Sequence, residues 1–524
     1  MKNDISFEAF HAYLYKNCYT LWTALNHHKT HTNKNLTLKN HHYIKAILLD
    51  KSNQRILKKS TQGGISECLI VISWVAASQG SVVFYVLPTD HLMQRFVSNR
   101  YEKSLVYSDY YRTYRVDTKT DKLLKRDINA SRSLKDIGKG VISFAGSMSD
   151  VPFIEIPADW LIVDEADKCD ANRLQMALER LGHSSDPHEI YVGNPTFVGS
   201  FLDEKFNQST AAEWGIQAEC GHTIFIDFFK HIVRQEDEFT YVIRDKDYEP
   251  GENDIRPICD KCEKPFDRFG YGEFVAKQKS EISGKHISRL FSGTSTLVKM
   301  VDNFSKALEN DYKMQRFYNS DLGLSYTASG AKITREMIVN NCMDYKMPSK
   351  IIDGVCIIGV DVGNVLHVKI NKLLNDNIKQ SVFIGTCNDL IEIYELCDRF
   401  KVIAGVIDGL PEIRMARLFS HSANGRFRCF FGTDKSDSIN PKEKSLTVSR
   451  LMSIDNMKEL ILKKELIFPK DITNYEEYLQ HMITPVRVWD DDKQVYSWES
   501  NQADHFFFAE VYASLAEKIL KFMS

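Results

Sequence analysis

The segment that decides the fold is residues 56–67, which read Ile-Leu-Lys-Lys-Ser-Thr-Gln-Gly-Gly-Ile-Ser-Glu. This pattern predicts an apolar strand that turns at two glycines into a helix. Such a turn suits phosphate, because glycines let backbone amides close around the oxygens and the helix N-terminus adds a favourable dipole. The Ser66 hydroxyl is placed to coordinate magnesium, but Ile65 replaces the lysine that usually precedes it. Taken alone, the segment fits a plain glycine turn equally well.

Two further strand ends favour a nucleotide site. The apolar run 160–163 leads into Asp164 and Glu165, so Asp164 would hold Mg²⁺ at the strand end and Glu165 would polarise water. The run 189–192 leads towards Asn194, whose side chain would sense the γ-phosphate. Three strand ends in this order predict an ATPase. The alternative is that the two acids only open a helix and that Asn194 lies in a turn.

Apolar runs alternate with longer polar segments between residues 56 and about 199, which is typical of βαβ units around a parallel sheet. We therefore predict an α/β protein with a helical N-terminal segment (1–55), a P-loop ATPase domain of the ASCE type (56–345) and a second domain (346–524). Within the ATPase domain, residues 215–275 change to charged residues, loop formers and cysteines. This change indicates a small inserted module.

The composition excludes a membrane protein and a disulfide framework. The 524 residues carry 67 basic and 70 acidic side chains, and this net charge of −3 neither supports nor excludes nucleic acid as a partner. The sequence has no apolar run near the roughly 20 residues that cross a bilayer and no signal peptide. Its 11 cysteines therefore indicate reduced thiols. We expect a soluble cytoplasmic protein.

Three acidic residues beside apolar elements predict a metal-dependent nuclease in the second domain. Asp361 follows the run 356–360, Asp408 follows the run 402–407, and Asp504 precedes the C-terminal helix. Ribonuclease-H-like nucleases place their first metal carboxylate in this way. Cleavage by two metals needs carboxylates that converge on ions about 3.5–4 Å apart. Each acid alone also fits a purely structural role, since Asp-Gly is a common turn sequence and Asp is a common helix cap.

Together these motifs resemble the large terminase subunits of tailed phages, in particular the lambda-like branch. There the phosphate loop can carry its lysine at the start, as Lys-Ser-x-x-x-Gly-x-Ser, and residues 59–66 fit that string. The similarity runs from about residue 40 to the C-terminus and includes residues 317–323, which look like the family's junction before the nuclease. The resemblance implies that ATP is bound by Lys59, Ser60, Gln62, Gly63, Gly64, Ser66, Asp164 and Asn194, with Glu165 activating water. Matching identifies no arginine finger, and Arg100 is our candidate.

The inserted module contains a CxxC pair, Cys259 and Cys262, between two prolines, as in a zinc knuckle. The branch that it resembles often has another CxxC upstream, but Gln217 stands where the first of those cysteines would be. We expect a zinc-ribbon-like structural Zn²⁺ site made of Cys220, His222, Cys259 and Cys262. A metal-free module held by packing is the equally weighted alternative.

The resemblance implies two activities. ATP hydrolysis would drive double-stranded DNA into the procapsid, and the RNase H-like domain would cut concatemeric DNA with Mg²⁺ or Mn²⁺. The implied partners are DNA, a small terminase subunit, the portal protein and further copies in a ring, in the host cytoplasm. A helicase-like DNA-remodelling ATPase fused to a nuclease is the alternative, but residues 345–524 show acidic strand ends instead of a second motor lobe. A non-catalytic DNA-binding protein would leave the ATPase strand ends unexplained.

Overall fold

A computed structural model describes residues 7–113, 133–237, 240–328, 330–374, 378–432, 437–490 and 495–523. The chain divides into two compact units, Met1–Ala328 and Ser329–Ser524, which we call the N-terminal and C-terminal units. Across these ranges, each helix is either too short or too polar to cross a lipid bilayer.

The elements of the N-terminal unit alternate in the manner of an α/β protein. Its helices in the described ranges are α1 (Phe7–Asn17), α2 (Tyr19–Asn26), α3 (Tyr43–Leu48), α4 (Ile65–Ser78), α5 (Asp90–Phe96), α6 (Glu102–Tyr107), α7 (Asp109–Thr113), α8 (Val151–Glu155), α9 (Ala171–Glu179), α10 (Phe201–Gln208), α11 (Phe228–His231), α12 (Leu297–Ala307) and α13 (Asp311–Arg316). Its strands are β1 (Gln54–Lys59), β2 (Val82–Leu87), β3 (Leu134–Ile137), β4 (Gly140–Gly146), β5 (Trp160–Asp164), β6 (His188–Gly193), β7 (Glu213–Gln217), β8 (Thr223–Phe225), β9 (Val233–Gln235), β10 (Tyr241–Ile243), β11 (Gly272–Val275) and β12 (Ser283–Ile287).

The main sheet of this unit has the strand order β12-β1-β6-β5-β2-β4-β3. All neighbours pair in parallel except β3 and β4, which confirms the predicted parallel sheet. The strands are almost continuously buried, as expected where helices cover both faces. Because β6 lies between β1 and β5, the carboxyl ends of these three strands meet at one edge. That edge positions the phosphate loop beside Asp164 and Asn194.

The predicted insertion forms small sheets of its own. Strands β11, β7 and β8 form one antiparallel sheet, and β10 pairs with β9. A small core of Ala218, Ile224 and Cys259 lies within this module.

The C-terminal unit is a second α/β arrangement with its own core. Its helices in the described ranges are α14 (Arg335–Val339), α15 (Leu390–Arg399), α16 (Ile413–His421), α17 (Arg450–Leu462), α18 (Glu476–Ile483) and α19 (His505–Met523). Its strands are β13 (Cys342–Met343), β14 (Val355–Val362), β15 (Leu366–Leu373), β16 (Lys379–Cys387), β17 (Val402–Asp408), β18 (Arg426–Gly432), β19 (Ser438–Asn440), β20 (Ser445–Ser449), β21 (Leu466–Pro469), β22 (Val486–Asp490) and β23 (Val495–Glu499).

The predicted domain boundary after residue 345 differs from the division between Ala328 and Ser329. Strand β13 precedes residue 345 and pairs with β21 of the C-terminal unit. The proline-marked segment that suggested the boundary therefore follows elements that already belong to this unit.

The sheet of the C-terminal unit has the order β13-β21-β16-β15-β14-β17-β18-β20-β19. At its centre β16, β15 and β14 are antiparallel, whereas β17 and β18 continue in parallel from β14, as expected for an RNase H-like domain. Helix α19 packs on β14, and Gly359 permits this because a Cβ there would collide with the backbone of Ala509 and Ala513. This close packing brings the start of α19 to the carboxyl end of β14.

Candidate active sites

Lys59 joins the three strand ends of the N-terminal unit. It is the last residue of β1, and its side chain is only 7% exposed. Its Nζ donates to Glu165 Oε1 at 2.7 Å and to Asn194 Oδ1 at 3.2 Å. The lysine that ends β1 therefore contacts the residues that follow β5 and β6.

The loop after β1 has the backbone of an anion-binding turn. Gln62 and Gly64 have positive φ angles of 61° and 75°, and helix α4 starts directly afterwards. Successive amides in such a turn can face one anion. The Ser60 hydroxyl is buried and has no hydrogen-bond partner among the described residues, whereas the Gly63 carbonyl accepts a hydrogen bond from the Tyr43 hydroxyl at 2.9 Å. The hydrogen bond from Tyr43 thus holds the loop at Gly63, and the Ser60 hydroxyl can still bind a further polar group.

Asp164 and Glu165 differ in their surroundings. Asp164 Oδ2 accepts from Ser66 Oγ at 3.4 Å and from the Tyr85 hydroxyl at 3.2 Å. Glu165 has a φ of 58°, a left-handed conformation that is uncommon outside glycine and that often occurs at functional sites. One acid therefore faces the loop hydroxyl, and the other is turned towards Lys59.

Burial and Lys59 set the charges of this site. Burial raises the pKa of Asp164 above its usual range, although Lys59 and, more weakly, Arg100 oppose this. Burial also acts against ionisation of Glu165, but the ammonium of Lys59 outweighs it and lowers the pKa of that carboxyl. Burial likewise disfavours the ammonium of Lys59, but Glu165 and Asp164 outweigh it and raise its pKa. The positive charge of Arg100 therefore acts on both Asp164 and Lys59.

The junction turn, residues 317–323, lies directly on the phosphate loop. The Thr61 amide donates to the Ser320 carbonyl at 2.9 Å, and Arg289 binds both Thr61 and Asp321. Gly323 has a φ of 70°, and a Cβ there would collide with the Ser60 amide. No local motif marked Arg289, because its partners lie far away along the chain.

Asp167 ties the end of β5 to the loop after β6. Its carboxylate accepts from the Thr196 amide at 2.8 Å, from the Ser200 hydroxyl at 2.7 Å and from the Leu202 amide at 2.6 Å. A movement of the chain at the end of β5 would therefore shift the loop that follows Asn194.

The predicted nuclease carboxylates lie at one end of the second sheet. Asp361 is in β14 and Asp408 ends β17, and these strands pair in parallel with Val360 opposite Ile407. Asp504 immediately precedes α19 and accepts from Ser500 Oγ at 2.6 Å. The β-strand register thus makes Asp361 and Asp408 neighbours.

The two strand carboxylates repel each other in a buried setting. Burial, together with the charge of Asp361, raises the pKa of Asp408 to about 6, against hydrogen bonds from the Leu410 amide and Tyr512. Burial and, more weakly, Asp504 raise the pKa of Asp361, although His505 opposes them. A divalent cation would relieve both effects.

Two histidines, His367 and His505, lie next to Asp361. His505 Nδ1 lies 2.9 Å from Asp361 Oδ2, and the His367 ring is stacked on His505 with centroids 4.6 Å apart. Asp361, His367 and His505 each offer one possible metal-ligand atom, and these three atoms lie within 4.8 Å of one another. Among the described residues, Asp408 and Asp504 belong to no such set of three. Only the strand register reveals His367, because it lies opposite Asp361 on β15.

Comparison with known proteins identifies the family of the chain that carries these two sites. Residues 40–277 match the family model of the ATPase domain of the phage terminase large subunit gpA, and residues 282–370 match that of its endonuclease domain. Together the matches cover more than half of the chain. The chain belongs to the phage terminase large subunit family. The predicted pair of terminase activities, an ATPase and an endonuclease for DNA packaging, is thereby confirmed.

The terminase fold is also found among solved structures. The large terminase of bacteriophage HK97 is 10% identical with a TM-score of 0.53, over 95% of this chain and 98% of that chain. A large terminase from a thermophilic bacteriophage is 12% identical with a TM-score of 0.32, over 90% of this chain and 94% of that chain. The HK97 likeness supports the α/β fold. Comparison with curated proteins found no match.

The cysteine module of this terminase brings together three of its four predicted ligands. Cys220 Sγ lies 3.9 Å from Cys259 Sγ, and one sulfur from each of Cys220, Cys259 and Cys262 lies within 4.8 Å of the others. His222 instead lies 3.4 Å from Asp260. The backbone amide of His222 lowers the pKa of the Cys220 thiol. The thiols therefore fit a soft cation, whereas His222 faces a carboxylate.

Proposed function

We propose that Lys59, Ser66, Asp164 and Glu165 bind and hydrolyse Mg²⁺-ATP. The single observation that supports this proposal most strongly is the contact of Lys59 with both Glu165 and Asn194. A hydroxyl and a carboxylate next to a helix N-terminus suit Mg²⁺, which prefers oxygen ligands and nucleotide phosphates. The cation would also offset the buried charge of Asp164.

Lys59 would change partners when ATP binds. Lys59 pairs with Glu165, and a triphosphate would offer the ammonium a more highly charged anion. Lys59 would then turn to the phosphates and leave Glu165 free to orient the attacking water, while Asn194 senses the γ-phosphate. Ser60, Gln62, Gly63 and Gly64 would form the rest of the phosphate cradle.

Replacing Glu165 tests this assignment. We expect Glu165→Gln to lower DNA-stimulated ATP turnover about 100-fold or more, the usual effect of removing a general base, while a fluorescent ATP analogue still binds. Glu179→Gln is the matched control, because Glu179 is 67% exposed at the end of α9. Unchanged turnover in Glu165→Gln would remove Glu165 from the mechanism.

For the endonuclease, Asp361, Asp408 and Asp504 are proposed to hold the divalent cations, Mg²⁺ or Mn²⁺. The adjacent carboxylates at the ends of β14 and β17, one buried and one half-buried, support this role, because their mutual repulsion favours a cation between them. Bound ions would activate water and stabilise the leaving oxygen of the phosphodiester. The protein's own task is to hold these acids at one sheet end.

In the packaging reaction the terminase would translocate double-stranded DNA into the procapsid and cut concatemers at the start and end of filling. Membership of the family supports the portal protein and a small terminase subunit as partners, with several copies in a ring in the host cytoplasm. An in vitro packaging assay with procapsids, and its loss in Glu165→Gln, tests the translocation step.

Structural zinc at Cys220, Cys259 and Cys262 is a further proposal. Three close thiols supply most of a tetrahedral set. His222 would have to leave Asp260 to become the fourth ligand. We expect about one zinc per purified chain, retained in His222→Ala if another group or water completes the set and lost in Cys262→Ser. Zinc-free wild-type protein prepared without chelator would rule out the site.

A further inference from the structure

A cluster of three histidines lies on the Asp361 side of the second sheet, and the three proposed nuclease acids give these histidines no role. His367 is directly opposite Asp361 in the antiparallel pairing of β14 with β15. His505 is the first residue of α19, and its ring is nearly parallel to that of His367, at 17°. His481 on α18 has its ring centroid 5.7 Å from that of His367. Strand pairing and helix packing thus bring His367 and His505 to Asp361, with His481 beside these two rings.

We propose that Asp361, His367 and His505 together ligate a first-row transition-metal ion, so that the cation site of the nuclease is a mixed carboxylate–imidazole site. This rests on the proposed role of Asp361 in the endonuclease. One donor atom from each of the three residues lies within 4.8 Å of the others. His505 Nδ1 and Asp361 Oδ2 are in hydrogen-bond contact at 2.9 Å, which is also close to the separation of two ligands at right angles, each about 2.1 Å from an octahedrally coordinated ion.

The surroundings of His367 support a ligand role. The residue is 5% exposed, and within the described ranges its Nδ1 has no hydrogen-bond partner of good geometry. Its Nε2 lies 4.0 Å from Glu477 Oε1. Histidines that bind metals commonly donate their second nitrogen to a carboxylate, and Glu477 is the carboxylate that could approach to fill this role.

His481 has a different task. With His367 and Glu477 it forms a second group of donors within 4.8 Å, but its Nδ1 already accepts the Phe506 amide at 3.2 Å. In the neutral ring the proton must then be on Nε2, so no lone pair is left for an ion. His481 instead orders the start of α19, which carries His505. It is a positioning residue.

The mixed ligand set predicts which cation the terminase binds. Imidazole suits first-row transition ions, whereas Mg²⁺ prefers oxygen ligands and near-ideal octahedral geometry. Mn²⁺ should therefore bind the full chain more tightly than Mg²⁺. That preference should depend on His367 and His505.

Paramagnetic resonance of Mn²⁺ added to the full-length protein tests the ligand set directly. We expect wild-type protein to show ¹⁴N coupling from imidazole, and the double variant His367→Asn with His505→Gln to lose it. His367→Asn alone should weaken Mn²⁺ binding about tenfold or more. His421→Gln is the matched control, because His421 is exposed at the end of α16. Since His367 is buried, Glu477→Gln gives a second test, and this 66% exposed residue should also weaken Mn²⁺ binding without disturbing the core.

The outcomes separate this inference from the nuclease proposal. Absence of ¹⁴N coupling in wild-type protein, or unchanged Mn²⁺ affinity in folded His367→Asn and Glu477→Gln, would overturn the ligand set. If the same protein still cuts DNA with Mg²⁺, the endonuclease role of the carboxylates stands. If it cuts with no divalent ion, the nuclease role fails, and the ¹⁴N signal still decides whether the histidines bind metal.

Discussion

Asp164 is buried and Asp408 is half-buried, and the pKa values of both carboxyls lie above the usual range, that of Asp408 at about 6. Each is placed where its charge lacks full compensation from the protein. Groups with such pKa values are typical of sites that bind a charged ligand. The fold therefore gives up some stability at both sites, and a cation would restore it.

Asp408→Asn should make the metal-free protein more stable. The folded pKa of about 6 exceeds the unfolded value of about 3.9, so the contribution of Asp408 to stability is full below the unfolded pKa and is lost as the pH rises through the folded pKa. With chelator at pH 8, the neutral amide should therefore raise the unfolding temperature. The gain should shrink as the pH falls from 6 towards 4.

The control for this measurement is Asp398→Asn, at an exposed position near the end of α15. It should leave the unfolding temperature unchanged at every pH. An Asp408→Asn protein that is less stable than wild type at pH 8 would contradict the burial argument.

Among the elements, the junction turn and the phosphate loop form one assembly. Arg289 connects them, since its Nε donates to the Thr61 carbonyl at 3.1 Å and its guanidinium also binds Asp321. Asn194 joins the same assembly by donating to the Asn319 carbonyl at 3.3 Å. Movement of the loop upon ATP binding would therefore reach the segment that leads out of the N-terminal unit.

Arg289→Lys should loosen this assembly. Lysine keeps the charge but cannot reproduce the fork that grips Thr61 and Asp321 together. We expect KM for ATP to rise about tenfold, which corresponds to the loss of one charged hydrogen bond worth about 1.5 kcal/mol. The control is Arg316→Lys, at an exposed position at the end of α13. Identical KM values in the two variants would mean that Arg289 does not position the loop.

The elements also show what could be predicted from sequence. Asp164, Asp361 and Asp408 end apolar runs, so strand periodicity placed them at sheet ends before any pairing was known. Arg289 and His367 could not be found in this way, because their partners depend on strand register and on contacts distant in sequence. His222 was expected beside three thiols from its spacing, but spacing does not determine side-chain direction, and the ring lies beside Asp260.

At the scale of the whole molecule, the two proposed sites belong to separate compact units, each with its own sheet and hydrophobic core. A substitution at the nuclease carboxylates should leave the nucleotide site intact, because no residue of one proposed site is also part of the other. The central claim is that two acidic sites perform two separate reactions in one packaging protein.

Paired assays of DNA cutting and DNA-stimulated ATP turnover on Asp361→Asn test that claim most directly. We predict that cutting with a divalent ion falls about 100-fold or more, equivalent to about 3 kcal/mol of transition-state stabilisation, while ATP turnover stays at the wild-type rate. Full cutting activity in Asp361→Asn, or a parallel loss of ATP turnover in the folded variant, would contradict the claim.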